Sequence, residues 1–232
     1  MKTAVVTGGA GGIGTAVSKR LSEDGYHVIL GYHTAREKAE ALACEIGGRA
    51  LFVDVRNADS VAAFADAAGH AALLVNNAGI AASRLFTDIT PAEWDDMFAV
   101  HVRGAYLLCR AFLPHMIHEK SGSIINISSI WGMVGASCEV HYSAAKAALI
   151  GFTKALAKEV GPSGITVNCI APGVIETNML KDYSEDEKKA LIEETPLMRL
   201  GTPSDVAEAV SYAAHASFLT GQVISPAGGF VI

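Results

Sequence analysis

The chain has 232 residues, 50% of them hydrophobic and 18% charged, with a formal net charge of −6 at neutral pH. That length can bury a substantial core, and we expect a single domain over residues 1–232. Net acidity with scattered basic residues argues against a nucleic-acid partner, and no uninterrupted apolar run reaches the ~18 residues of a membrane span, so a cytoplasmic protein without leader or membrane anchor is expected.

Strand-like and helix-like runs alternate from end to end, which predicts an α/β fold with a parallel sheet covered by helices on both faces. Strands are expected over Thr3–Thr7, His27–Tyr32, 50–53, 72–76, 123–128, Ile165–Ile170 and 222–225, with helices in the intervals. The first strand runs into Thr7-Gly8-Gly9-Ala10-Gly11-Gly12-Ile13-Gly14, and a helix follows from about Thr15. Glycines after a first strand let the backbone turn tightly and approach a pyrophosphate seated on the helix N-terminus, which makes Gly8, Gly12, Ile13 and Gly14 candidates for dinucleotide binding. Their spacing differs from the commoner G-x-G-x-x-G.

The second strand ends at Leu30-Gly31-Tyr32-His33-Thr34-Ala35-Arg36, roughly where an NAD-binding fold would carry an acid for the ribose 2′-hydroxyl. No acid is there, and Glu37 falls on the next helix. His33, Thr34 and Arg36 suit a 2′-phosphate, so NADP(H) is the expected cofactor. Asp54, after the third strand, could accept from the adenine amino group. Asn76-Asn77-Ala78-Gly79 is small and polar where a nicotinamide ribose would pass.

Ser129 lies just past the fifth strand, where a hydroxyl faces the ligand crevice of an open sheet. From Tyr142 onward, Ala145, Leu149, Phe152, Leu156 and Val160 fall at helical spacing, so Tyr142 and Lys146 stand one turn apart. A nearby ammonium lowers a phenol pKa that starts near ~10, and Ser129, Tyr142 and Lys146 together can polarise a carbonyl and protonate its oxygen. Tyr-x-x-x-Lys alone also occurs as an ordinary exposed pair. Cys44, Cys109, Cys138 and Cys169 have no paired spacing and are expected to be free thiols. His115 and His118 could share a helix face, but nothing nearby completes a ligand set, and no metal is expected. Residues 176–200, with a charged run after Ser184, have the composition of a mobile lid.

Together these residues resemble the short-chain dehydrogenase/reductase family across essentially the whole chain. The matching pieces are Thr7-Gly8-x-x-x-Gly12-Ile13-Gly14, Asp54-Val55, Asn76-Asn77-Ala78-Gly79, Ser129, Tyr142-x-x-x-Lys146, Asn168, and Ala171-Pro172-Gly173 followed by Thr177. The resemblance implies a Rossmann sheet of about seven parallel strands in three α/β/α layers, with cofactor contacts from the glycine turn, Asp54, Val55, Asn77, Ala78, Gly79, Pro172, Gly173 and Thr177. It also implies Tyr142 as acid/base, Ser129 holding the carbonyl oxygen, and Lys146 bonding the nicotinamide ribose while lowering the tyrosine pKa. Family members commonly form dimers or tetramers through long helices near 91–118 and 140–160, and Ala144, Ala145, Ala147 and Ala148 would suit such packing.

One position departs: His101-Val102-Arg103-Gly104 stands where most members carry an Asn that holds a water of the proton relay. His101 could hold the relay, contact substrate or simply pack. The broad likeness is to bacterial 3-oxoacyl-[acyl-carrier-protein] reductases, which implies acyl carrier protein as the substrate's carrier. The stretches at His101-Val102, 128–140 and 176–180 are similar instead to the branch that reduces a 5-aminopentanone on a lysine of elongation factor P. Glu139 could attract the terminal ammonium of that substrate. A non-catalytic dinucleotide-binding protein is the remaining alternative.

Overall fold

The computed structural model describes residues 1–177, 180 and 183–231. Its strands are β1 (Thr3–Thr7), β2 (His27–Tyr32), β3 (Arg49–Phe52), β4 (Leu73–Asn76), β5 (Gly122–Ile127), β6 (Ile165–Ile170) and β7 (Val223–Ile224). They form one sheet in the order β3-β2-β1-β4-β5-β6-β7, and every pairing is parallel. This is the Rossmann-like arrangement expected from the alternation, with boundaries within about one residue for most strands. β7 is shorter than 222–225 because Pro226 has no N–H to extend a ladder.

The strands are nearly continuous runs of Val, Ile and Leu because both faces of the sheet are covered. Alternate side chains feed two cores. Val5, Ile29, Leu74, Ile124 and Val167 meet Phe64 of α3 (Ala58–Ala68), Leu108 and Phe112 of α5 (Gly104–Glu119) and Val160 of α7 (Val140–Val160). Val6, Leu30, Leu73, Val75 and Ile125 meet Val17 and Leu21 of α1 (Gly12–Glu23), Leu42 of α2 (Arg36–Glu45), and Val206 and Val210 of α9 (Pro203–His215). Strand order reverses between β1 and β4, which opens a crevice at the C-terminal ends of the strands.

Helix α1 starts at Gly12 rather than Thr15, because the Thr15 N–H already bonds the Gly11 carbonyl at 2.7 Å. α4 (Pro91–Phe98) opens with a capping box between Thr90 and Glu93 and has Pro91 in its first turn. It does not run directly into α5: residues Ala99–Arg103 form a π-helical turn, a wider coil that carries His101 inward. A short α6 (Trp131–Val134) precedes α7. Of the four alanines expected to pack between copies, Ala145 is fully buried against its own chain and is unavailable for that contact.

The expected lid falls partly on residues 178, 179, 181 and 182, which lie outside the described residues. Beyond them, α8 (Glu185–Glu193) is capped by Ser184 and Glu187. Among the described residues no helix is long and apolar enough to cross a membrane, and all four cysteines are free. His115 stacks on His70, with ring centroids 3.5 Å apart, instead of pairing with His118.

Candidate active site

The C-terminal ends of β1, β2, β3, β4 and β5 converge on a cleft of about 530 Å³. Its first wall is the glycine turn. Gly8 has φ of +62°, and a Cβ on Gly14 would overlap the Gly8 carbonyl oxygen, so neither position accepts a side chain. A Cβ on Gly12 would come within 2.9 Å of Thr177 Cγ2, which brings Thr177 onto the same wall. The turn is tied to β4 through Thr7, whose hydroxyl accepts the Asn77 and Ala78 N–H groups at 3.1 Å each. The Asn77 side chain donates to the carbonyls of Thr7 and Gly8 at 3.0 and 3.1 Å. Asn77 thus fixes the turn, while Ala78 and Gly79 line the cleft beside it.

At the other end lie Tyr32, His33 and Thr34 from the β2 end, and Asp54, Val55 and Arg56 from the β3 end. Arg56 had no assigned part in the sequence reading. Its guanidinium holds both Asp54 carboxylate oxygens at 2.9 and 3.0 Å and reaches Asp96 on α4 at 2.9 Å. Hydrogen bonds from Arg56 keep the Asp54 carboxyl below the usual carboxylate range despite partial burial. His33 approaches Asp54 at 3.8 Å. Arg36, beyond the end of β2, pairs with Glu40 one turn on, at 2.8 Å, with its side chain 72% exposed. Past the end of β6, the Pro172 carbonyl accepts the Ile130 N–H at 3.0 Å, and Gly173 packs on Ala227, where a Cβ would sit 2.7 Å from its Cα. Asn168 is structural, bonding Leu219 and Gln222 across the β6–β7 edge.

The inner end of the cleft holds His101, Ser128, Tyr142 and Lys146. Ser129, only 8% exposed, sits behind them, close enough to Tyr142 to act on its phenol. Its Oγ also accepts the Trp131 N–H at 3.2 Å. Lys146 Nζ donates to the Ile127 carbonyl at 2.9 Å and lies 5.4 Å from the centre of the Tyr142 ring. The neighbouring Ser128 hydroxyl bonds the Lys146 carbonyl at 2.8 Å, which holds α7 against the end of β5. Helical spacing therefore delivers the expected cluster, but not the expected electrostatics. Burial pushes the Tyr142 phenol up to about 12, offset in part by the nearby Ser129 hydroxyl and reinforced by the Glu139 charge. Burial also brings Lys146 down to about 8. Desolvation outweighs any help the lysine gives the phenol.

His101 stands edge-on to Tyr142, ring centroids 5.6 Å apart and planes at 83°. Its Nε2 is 2.8 Å from the Ile80 carbonyl. Burial and the Lys146 charge hold its pKa well below that of a free imidazole.

The sequence model of the family described as short chain dehydrogenase matches residues 2–188. The chain is a short-chain dehydrogenase. An uncharacterized oxidoreductase, YmfI of Bacillus subtilis, is 41% identical, with 99% of this chain and 98% of the relative covered. A protein named 3-oxoacyl-[acyl-carrier-protein] reductase from Staphylococcus aureus is 38% identical over 98% of this chain and 97% of its own, and one of the same name from Chlamydia muridarum is 41% identical over 98% and 96%. The short-chain dehydrogenases are oxidoreductases that use nicotinamide dinucleotides, and this cleft fits one. Gly8, Gly11, Gly12 and Gly14 line the cleft with backbone alone, and the first turn of α1 has no side-chain cap over its N–H groups.

Proposed function

We propose that this dehydrogenase is an NADP(H)-dependent carbonyl reductase with Tyr142 as proton donor. The observation that carries this reading is Tyr142 one helical turn from a buried Lys146, whose Nζ lies 5.4 Å from the centre of the phenol ring, at the inner end of a glycine-lined cleft. The glycine turn, Asn77–Gly79 and Asp54 would hold the cofactor, with His33 and Thr34 at the ribose 2′ position. When bound, the reduced nicotinamide supplies hydride to the carbonyl carbon. Ser129 and Tyr142 present hydroxyls to the carbonyl oxygen, Tyr142 gives it a proton, and charged Lys146 favours the negative charge that develops there. A phenol held near 12 stays protonated at neutral pH and is ready to donate.

The substrate in this reading is the 5-aminopentanone adduct on a lysine of elongation factor P. Support comes from the stretch at 128–140 and from Glu139, a carboxylate partly buried beside Tyr142 with no ion-pair partner among the described residues. A cationic substrate end would supply that partner. A second reading, a 3-oxoacyl chain on acyl carrier protein, is favoured by the names of the Staphylococcus and Chlamydia relatives. A paired assay separates them. Enzyme with NADPH should add the mass of two hydrogens to the modified elongation factor P peptide; efficient turnover of acetoacetyl-carrier protein with no mass change on the factor selects the second reading.

A further inference from the structure

A second, much smaller cavity lies beneath the π turn, between β4, α5 and α7. It has about 10 Å³ open to a water centre, the size of a single-water site. Its lining includes Asn76 and His101 among apolar neighbours such as Val100, Leu108 and Leu149. Thr7 lines it too, with its hydroxyl already paired, and Asn76 and His101 are both more than nine-tenths buried, at 7% and 3% exposure. Each leaves one side-chain atom, Asn76 Oδ1 and His101 Nδ1, without a hydrogen-bond partner among the described residues.

The hydrogen-bond network fixes what those two atoms need. The Thr153 hydroxyl lies 2.8 Å from the Leu149 carbonyl, which can only accept, so Thr153 donates there and accepts from Asn126 Nδ2 at 2.9 Å. Asn126 therefore turns Oδ1 to Asn76, whose Nδ2 donates to it at 2.8 Å. The chain of donors ends at Asn76 Oδ1, an acceptor. His101 follows the same logic. Its Nε2 is 2.8 Å from the Ile80 carbonyl, closer than the 3.3 Å to the Ile80 N–H, so Nε2 carries the proton and Nδ1 presents a lone pair. Two buried, unmet acceptors thus belong to residues that line one water-sized space, and a buried acceptor left without a donor is destabilising.

The geometry points to one buried water molecule that donates both of its hydrogens, one to Asn76 Oδ1 and one to His101 Nδ1, and that makes Asn76 a positioning residue for His101. This water locks the Nε2–H tautomer and ties Nδ1 to the protein interior. His101 then acts by holding its ring edge against Tyr142 and its Nε2–H on Ile80, and it does not exchange protons with the cleft. Its low basicity agrees with a permanently neutral ring.

A high-resolution crystal structure of the wild-type protein tests the site directly: one density peak within hydrogen-bond reach of both atoms is expected, and no peak, or a peak reaching neither, overturns the proposal. Nitrogen-15 spectra of histidine-labelled wild type should show His101 as the Nε2–H tautomer with Nδ1 shifted upfield from an unbonded lone pair; the Nδ1–H tautomer would also overturn it. In Asn76→Leu the Nδ1 resonance should move downfield to the unbonded position. An unchanged resonance in a folded variant counts against the water, and if the variant does not fold the two wild-type measurements decide.

Discussion

Gly79 lies so close to His101 that a Cβ at Gly79 would stand 2.6 Å from His101 Cε1. The histidine that departs from the family pattern thus packs directly on a residue of the strip that lines the cleft. Gly79→Ala should destabilise the protein by about 1–3 kcal/mol, the usual cost of forcing an extra methyl into a packed site. Combined with His101→Ser, which shortens the ring away, the loss should shrink by at least ~1 kcal/mol in a denaturant-melt double-mutant cycle. Strict additivity would show that the contact is not what limits residue 79.

Lys146 is held in the fold at a cost. Its pKa falls from 10.5 to about 8 on burial, so at neutral pH the folded state carries a charge that it binds less well than the unfolded chain does. The penalty is fully present below pH 8 and is relieved as pH rises through 8 to 10.5, where the unfolded chain holds the proton and the folded chain does not; stability from this group therefore increases with pH across that window. Lys146→Met should raise stability at pH 7 by about 1–3 kcal/mol while abolishing turnover. Urea melts at pH 7 check this, and a destabilised variant would show that the bond to Ile127 outweighs desolvation.

The sheet was legible in the sequence because strands buried on both faces read as aliphatic runs ending in small or polar residues at the cleft. Tyr142 and Lys146 were legible because helical spacing dictates their common face. What escaped depended on contacts between distant segments. Arg56 beside Asp54 looks like any solvated pair, and Asp96, 40 residues on, becomes its partner only when α4 packs against the β3 end. The pairing of Arg36 with Glu40, one helical turn away, was likewise not read from the sequence. The upward shift of Tyr142 comes from desolvation, which i,i+4 spacing does not reveal. The π turn at Ala99–Arg103 has no residue signature of its own.

The pH dependence of reduction should follow the lysine. With Lys146 near 8 and Tyr142 near 12, kcat/KM for ketone reduction is expected to be level near neutral pH and to fall about tenfold per unit above pH 8, as the ammonium loses its proton. His101 should add no limb, since it stays neutral. A profile level to pH 10 would remove the charged lysine from the account.

Cofactor preference should rest on His33 and Thr34, which line the cleft, and not on Arg36, which pairs with Glu40. NADPH is expected to bind more tightly than NADH. His33→Asp should reverse the order, because a carboxylate repels a 2′-phosphate and accepts from a 2′-hydroxyl, whereas Arg36→Ala should leave it unchanged. Fluorescence titration of both cofactors with each variant decides, and loss of preference in Arg36→Ala would mean that this arginine swings into the cleft.

Whether the Tyr142 hydroxyl delivers the proton is decided by Tyr142→Phe, because only that oxygen is removed. Ketone reduction with NADPH should fall by at least ~10²-fold while NADPH binding, measured by titration on the same sample, stays within about threefold of wild type. Turnover that survives the substitution with binding intact would contradict the assignment.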